Sequence, residues 1–332
     1  MRRGRIEREA LVSEVLVGNP QGDPHVRPVP VYLPPGYDED GDRRFPVVYL
    51  LAGFAGRGEM MLNDAVFGES IAERMDRLIA AGCGEAILVL PDCSTRWGGS
   101  QYVDSSANGD YERHLADEIV PWVDERYRTL PGARAVAGKS SGGFGALSLL
   151  MRRPGLFRAG CCHSGDMVFE HCYQRDFADA TDILGRHGGV EGFLAHLQAV
   201  RTGNINSIFK AINIVGMASC YSPDADRPGG FALPFDEATG LTDHEVWERW
   251  LRFDPWRLVE EKGDALKNLA LLLIDCGNRD EYALHVAARV FVARLKELGI
   301  AHEYEEFDGG HFGTSHRYDW SLPKIVNALG TE

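Results

Sequence analysis

Gly138-Lys139-Ser140-Ser141-Gly142 is the segment of this chain best suited to covalent chemistry. Its glycines stand two before and two after Ser140 and satisfy G-x-S-x-G, a pattern with a physical basis. A serine on a sharp strand-to-helix turn exposes its hydroxyl, and a Cβ at either glycine would collide as the turn closes. The context agrees, because Ala133 to Ala137 reads as an apolar strand and an Ala- and Leu-rich helix follows. Ser141 is a rival, but two residues before it stands Lys139, which cannot relieve the clash as Gly138 does. Ser140 is therefore the candidate nucleophile. The N–H of Ser141, at the start of the helix, is placed to hold a developing oxyanion. A phosphate cradle is the other reading of this loop, yet neither G-x-G-x-x-G nor G-x-x-x-x-G-K-[ST] fits.

A serine hydroxyl attacks poorly near neutral pH, so a histidine must take its proton and a carboxylate must hold that histidine in the right tautomer. In a strand-turn-helix serine hydrolase the chain order is serine, then Asp or Glu, then His. Leu269 to Cys276 supplies a buried strand that runs into Gly277-Asn278-Arg279-Asp280-Glu281. Asp280 lies past the strand end and is the first candidate for the acid, with Asp275 second and Glu281 third. His311 follows Gly309-Gly310, a turn able to swing the imidazole toward Ser140, and His316 is five residues on. A second oxyanion donor is expected from the loop Leu51-Ala52-Gly53-Phe54-Ala55-Gly56, with the Phe54 N–H as candidate. This chemistry calls for no cofactor.

The elements that must position these residues alternate along the chain. Candidate strands are Val12 to Val17, Val29 to Leu33, Val47 to Ala52, Ala86 to Pro91, Ala133 to Ala137, Ala159 to His163, Leu269 to Cys276 and His302 to Phe307. Between them, apolar stripes of helical period run through Ile71, Met75, Leu78 and Ile79, through Leu115, Ile119, Trp122 and Val123, and through Ala283, Val286, Ala287, Val290 and Phe291. Pro121 predicts a kink or restart in the second of these. The pattern is that of an α/β-hydrolase fold, a mostly parallel eight-stranded sheet with helices on both faces, occupying residues 1–332 as one domain. Residues 166–264 break the alternation. They carry many aromatics and short helical patterns, and are expected to form an inserted helical cap, with a small core of its own, over the site. Trp97, Ser100, Gln101 and Tyr102, after the fourth strand, are candidates to line the substrate pocket.

Composition narrows the function classes. Hydrophobic residues make up 44% and charged residues 25%, which suits a large packed core and not a disordered chain. The net charge of −14, with no long basic cluster, argues against a nucleic-acid surface. The charged start Met1 to Glu9 lacks the apolar run of a signal peptide, and no stretch reaches roughly 18 apolar residues, so the expected location is the cytoplasm, away from membranes. Seven cysteines, an odd number at irregular spacing, suit reduced thiols. Cys161, Cys162, His163, His171 and Cys172 could be metal ligands only if two loops converged. The first three also read as a buried strand, and no metal is expected.

With these motifs placed, the chain resembles the putative-esterase family of α/β-hydrolases, which includes esterase D, feruloyl esterases, enterochelin esterases and mycolyltransferases. The likeness runs from Val31-Tyr32-Leu33-Pro34-Pro35-Gly36-Tyr37 and Pro46-Val47-Val48-Tyr49-Leu50-Leu51, through Gly138 to Gly143, to Asp275 to Asp280 and Gly309-Gly310-His311. It implies hydrolysis of small-molecule carboxylic esters through an acyl-enzyme, with the roles carried onto Ser140, Asp280 and His311, and it suggests a homodimer. Ala52 departs from the family, many of whose members have His before the glycine of the oxyanion loop. Two other functions are compatible with the same residues: an acyltransferase that admits an alcohol in place of water, and a ligand-binding protein that has kept the fold without catalysis.

Overall fold

A computed structural model describes residues 2–39, 41–199 and 205–330. Eight strands form one sheet: β1 (Arg5–Val12), β2 (Val26–Leu33), β3 (Phe45–Leu51), β4 (Ile87–Val89), β5 (Thr129–Lys139), β6 (Ala159–His163), β7 (Leu271–Gly277) and β8 (Glu303–Phe307), in the order β1-β2-β4-β3-β5-β6-β7-β8. Pairing is antiparallel at β1/β2 and β2/β4 and parallel from β4 onward. The parallel part needs a crossover between successive strands, and helices supply these. Among the described residues the longer helices are α1 (Ile71–Ala80), α2 (Val120–Arg126), α3 (Ser141–Arg152), α4 (Phe177–Arg186), α5 (Gly189–Ala199), α6 (Phe209–Tyr221), α7 (His244–Leu251), α8 (Pro255–Lys262), α9 (Leu284–Glu297) and α10 (Tyr318–Leu329). No helix among them is long and apolar enough to cross a membrane.

The pleat sorts the strand residues between two cores. Val48, Leu50, Ala135, Ala137, Cys161 and Leu273 pack with Ile71, Met75 and Leu78 of α1 and with Leu322, Ile325 and Val326 of α10. Val47, Tyr49, Leu51, Val136, Cys162 and Ile274 point to the opposite face, against α3 and α9. The aromatics of residues 166–264 join this second core instead of forming a separate one. Phe144 of α3 meets Phe169 and Tyr221 at 6.0 and 5.9 Å, and Tyr221 continues to Trp250 at 5.5 Å.

The structure corrects two element expectations. The first strand is Arg5–Val12, not Val12 to Val17; its alternating charges suit a solvated edge strand. Residues 13–17 instead turn around Glu118, whose carboxylate accepts the N–H groups of Glu14 and Val15 at 2.7 and 3.0 Å. On α9 the buried face is Leu284, Ala287, Ala288 and Phe291, while Val286 is exposed and Ala283 stands before the helix in a left-handed conformation. The interruption expected at Pro121 takes the form of a change in winding: His114–Ile119 forms a wider π turn, and α2 follows from Val120 with the proline in its first turn.

Candidate active site

Ser140 lies between β5 and α3 with φ 58° and ψ −125°, a conformation seldom adopted by a residue with a side chain. Its neighbours make the turn possible. A Cβ on Gly138 would fall 2.5 Å from the carbonyl carbon of Gly142, and one on Gly142 would fall 2.1 Å from the carbonyl oxygen of Leu51 on β3. The turn is pinned at both ends, with the Ser140 N–H donating to the His163 carbonyl at the end of β6 (2.9 Å) and the Phe144 N–H donating to the Ser140 carbonyl (2.9 Å).

Three side chains meet here from the ends of different strands. Ser140 Oγ is 3.1 Å from His311 Nε2, and His311 Nδ1 is 2.7 Å from Asp280 Oδ2. A carboxylate can only accept, so Nδ1 carries the proton and Nε2 is left to accept from the serine hydroxyl. The loops on either side hold the pair still. The Asp280 carboxylate also accepts the Tyr282 N–H at 2.9 Å through Oδ1, and the His311 N–H donates to Glu281 Oε2 at 2.6 Å. Asp280 and His311 are both buried, and the ring of Tyr282 stands edge-on to the imidazole at 4.8 Å.

The other candidates fall elsewhere. Asp275 lies on β7 with Oδ1 2.7 Å from His163 Nδ1 and Oδ2 2.7 Å from Arg317 Nε, and does not reach His311. Glu281 touches His311 only through the backbone, and His316 is exposed, its Nδ1 3.3 Å from the Gly313 carbonyl. Cys161 and Cys162 lie inside β6. His163 Nε2 faces Ser321 Oγ at 2.9 Å, and no cluster of three or more His, Cys, Asp or Glu side chains among the described residues has the arrangement of a metal site.

A cavity of about 760 Å³ opens above Ser140. Gly53, Phe54, Lys139, Ser141 and His311 border it beside the serine, while Phe209, Asn213 and Lys210 of α6 face them. Gly53 presses on the turn closely enough that a Cβ there would stand 3.4 Å from that of Ser140, which brings the Phe54 loop alongside Ser141. Burial pushes the Lys139 ammonium below its ordinary range, against the pull of Asp280 and Glu281. A second cavity, of about 650 Å³ and lined by Arg227, Phe231, Asp243 and Val246 among others, includes none of these groups.

Trp97, Ser100, Gln101 and Tyr102 do not line the cavity over Ser140; they are buried behind its wall. Tyr102 donates its phenol to the Ala52 carbonyl at 2.8 Å and so braces the Phe54 loop, and the Gln101 amide reaches Asp166 Oδ2 at 3.3 Å. Sequence reasoning missed Lys139, Asp166, Tyr173 and Tyr282 as cavity residues. Lys139 and Tyr282 could have been found from their adjacency to the Ser140 and Asp280 motifs, whereas Asp166 and Tyr173 carry no local signal.

A family profile described as "Putative esterase" matches residues 24–328. Esterase Rv1288 of Mycobacterium tuberculosis is 26% identical over 319 residues, 91% of this chain and 56% of that protein, so the chain spans about half the length of this relative. A solved ferulic acid esterase superposes with a TM-score of 0.63 at 20% identity, covering 99% of this chain and all of the other. An S-formylglutathione hydrolase from Agrobacterium tumefaciens gives 0.60 at 16%, covering 99% and 97%. At these identities the two structures establish the α/β-hydrolase fold.

Proposed function

The chain belongs to the putative esterase family, and from that premise we propose that it is a serine esterase hydrolysing carboxylic esters through an acyl-enzyme, with Ser140, His311 and Asp280 as its triad. The observation that carries the reading is the unbroken contact from Ser140 Oγ to His311 Nε2 (3.1 Å) and from His311 Nδ1 to Asp280 Oδ2 (2.7 Å). As Oγ attacks the ester carbonyl, His311 Nε2 takes its proton, and Asp280 stabilises the imidazolium that results. The carbonyl oxygen becomes an oxyanion held by the N–H groups of Ser141 and Phe54. Collapse expels the alkoxide, which takes the proton from Nε2 and leaves Ser140 acylated. His311 then deprotonates a water, the second tetrahedral intermediate breaks the Oγ–acyl bond, and the acid departs as Oγ regains its proton.

Residues 166–264 act as the cap, with α6 forming one wall of the cavity. The rings of Phe54, Tyr173, Phe209 and Tyr282 offer an apolar surface to the body of a substrate. Methyl ferulate joins the first substrate panel because the ferulic acid esterase shares the fold. The test is hydrolysis of short and medium p-nitrophenyl esters by wild type and by Ser140→Ala, with fluorophosphonate labelling of both. Turnover and labelling are expected to vanish together in the variant, and a wild type that neither turns over nor labels would refute the reading.

A further inference from the structure

Asp166 is a buried carboxylate on the cavity wall, and among the described residues no lysine, arginine or histidine forms an ion pair with it. Burial of a charge without a partner is costly, so such groups are compensated by hydrogen bonds, by proton uptake or by a ligand. Two neutral donors hold one oxygen, Oδ2: the Tyr173 hydroxyl at 2.9 Å and the Gln101 amide Nε2 at 3.3 Å. Oδ1 accepts from no donor among the described residues. Desolvation pushes the carboxyl above its ordinary range, with Tyr173, His311 and Gln101 pulling the other way.

The supports behind Asp166 are themselves held at a cost. Gln101 is fully buried, takes a left-handed φ of 52°, and leaves its Oε1 without a partner while its Nε2 serves Asp166 and, at 3.1 Å, the Tyr221 hydroxyl. Strain and an orphaned carbonyl persist where the surroundings impose them, and here they aim an N–H at Asp166. Neither lysine of the cavity forms an ion pair with Asp166. Lys210 pairs with Asp176 at 2.9 Å and with Asp179, and Lys139 faces Asp280 and Glu281. What the cavity offers beside Asp166 is the ring of Tyr173, and carboxylate with aromatic surface is the combination that recognises an organic cation.

We infer that the cavity selects esters bearing an ammonium group, which seats against Asp166 Oδ1 and is oriented by the Tyr173 and Gln101 bonds on Oδ2. The inference rests on the esterase reading for its chemistry but not for its binding. The ammonium can enter on the acyl or the alcohol side, and isosteric pairs separate the two: ethyl 6-aminohexanoate against ethyl heptanoate, and acetylcholine against 3,3-dimethylbutyl acetate.

In a pH-stat assay at pH 7.5 the wild type should favour the cationic member of at least one pair by tenfold or more in kcat/KM, and Asp166→Asn should reduce that ratio to within about twofold of one. Ser140→Ala, studied by calorimetry, should bind the same cationic ester at least tenfold more tightly than its isostere. Equal kcat/KM for both members of each pair in the wild type would overturn the inference. So would a preference matched by ethyl 6-hydroxyhexanoate, or a parallel loss of both members in Asp166→Asn, which would place the carboxylate in support of His311. If the wild type hydrolyses no ester while Ser140→Ala still binds the cation selectively, the site stands and the serine mechanism falls.

Discussion

The carbonyl of His163 accepts the N–H of Ser140 at 2.9 Å, so the last residue of β6 sets the height of the candidate nucleophile. The imidazole of His163 is fixed in turn: Nδ1 meets Asp275 at 2.7 Å, Nε2 meets Ser321 of α10 at 2.9 Å, and the far side of Asp275 holds Arg317 at 2.7 Å. Neutralising Asp275 leaves Arg317 and His163 buried with a weakened partner. Asp275→Asn is expected to lower stability by about 3 kcal/mol in urea denaturation, the scale of breaking a buried ion pair from one side. It should also slow fluorophosphonate labelling of Ser140. An unchanged midpoint would mean that Asp275 contributes no net stability.

Asp280 has a different job, because its Oδ2 faces the Nδ1 of the histidine that touches Ser140. Asp280→Asn keeps the shape but offers an amide that favours the wrong tautomer. The expected loss is about four orders of magnitude in kcat with KM little changed, as for a serine triad deprived of its carboxylate. Asp275→Asn should lose far less activity per folded molecule. Comparable losses from the two would reopen the choice of acid.

The contrast between these two aspartates also shows what sequence can carry. The meeting of Ser140 with His311 is legible because one sits in a local motif whose glycines have steric reasons, and the other arrives where chain order requires it. Asp280 ranks ahead of Asp275 in the sequence only because it lies past the end of the strand. Strand parity separates them: Asp275 shares a face with Leu273, the α10 side, as His163 does with Cys161. The eight-stranded sheet was readable from short apolar runs, but β1 was placed too late because an edge strand rich in Arg and Glu has no such run. The Asp166 cluster was beyond reach, since Gln101 meets Asp166 across 65 positions and nothing local in either segment announces the contact.

At Gly142 the prediction is steric. A methyl group there would stand 2.1 Å from the Leu51 carbonyl oxygen, a backbone atom of a central strand that cannot swing aside. Gly142→Ala must therefore push α3 off β3 or distort the turn, and the expected result is a loss of more than about 3 kcal/mol, or failure to accumulate as soluble protein. Circular dichroism melts of purified material would check this. Gly155→Ala serves as the control for a glycine in open space; its positive φ of 80° should cost roughly 1–2 kcal/mol through backbone strain alone.

Asp254 makes stability depend on pH in an unusual direction. Its buried carboxylate starts α8 and accepts the N–H groups of Val168, Phe169 and Trp256 at 2.8, 2.9 and 3.0 Å, yet desolvation outweighs these bonds and its pKa is pushed up to about 6 from an ordinary 3.8. Between those two values the folded chain binds a proton that the unfolded chain has released. The contribution of this group is therefore fully present below about pH 4 and is lost as pH rises through 6. Asp254→Asn cannot titrate there, so the stability of the wild type minus that of the variant isolates the effect from the other carboxylates. Urea denaturation at pH steps from 4 to 7 should show that difference falling by about 2 kcal/mol, most of the effect of a shift of roughly two pKa units. A difference that rises with pH would mean that the three N–H bonds outweigh desolvation and keep Asp254 ionised throughout.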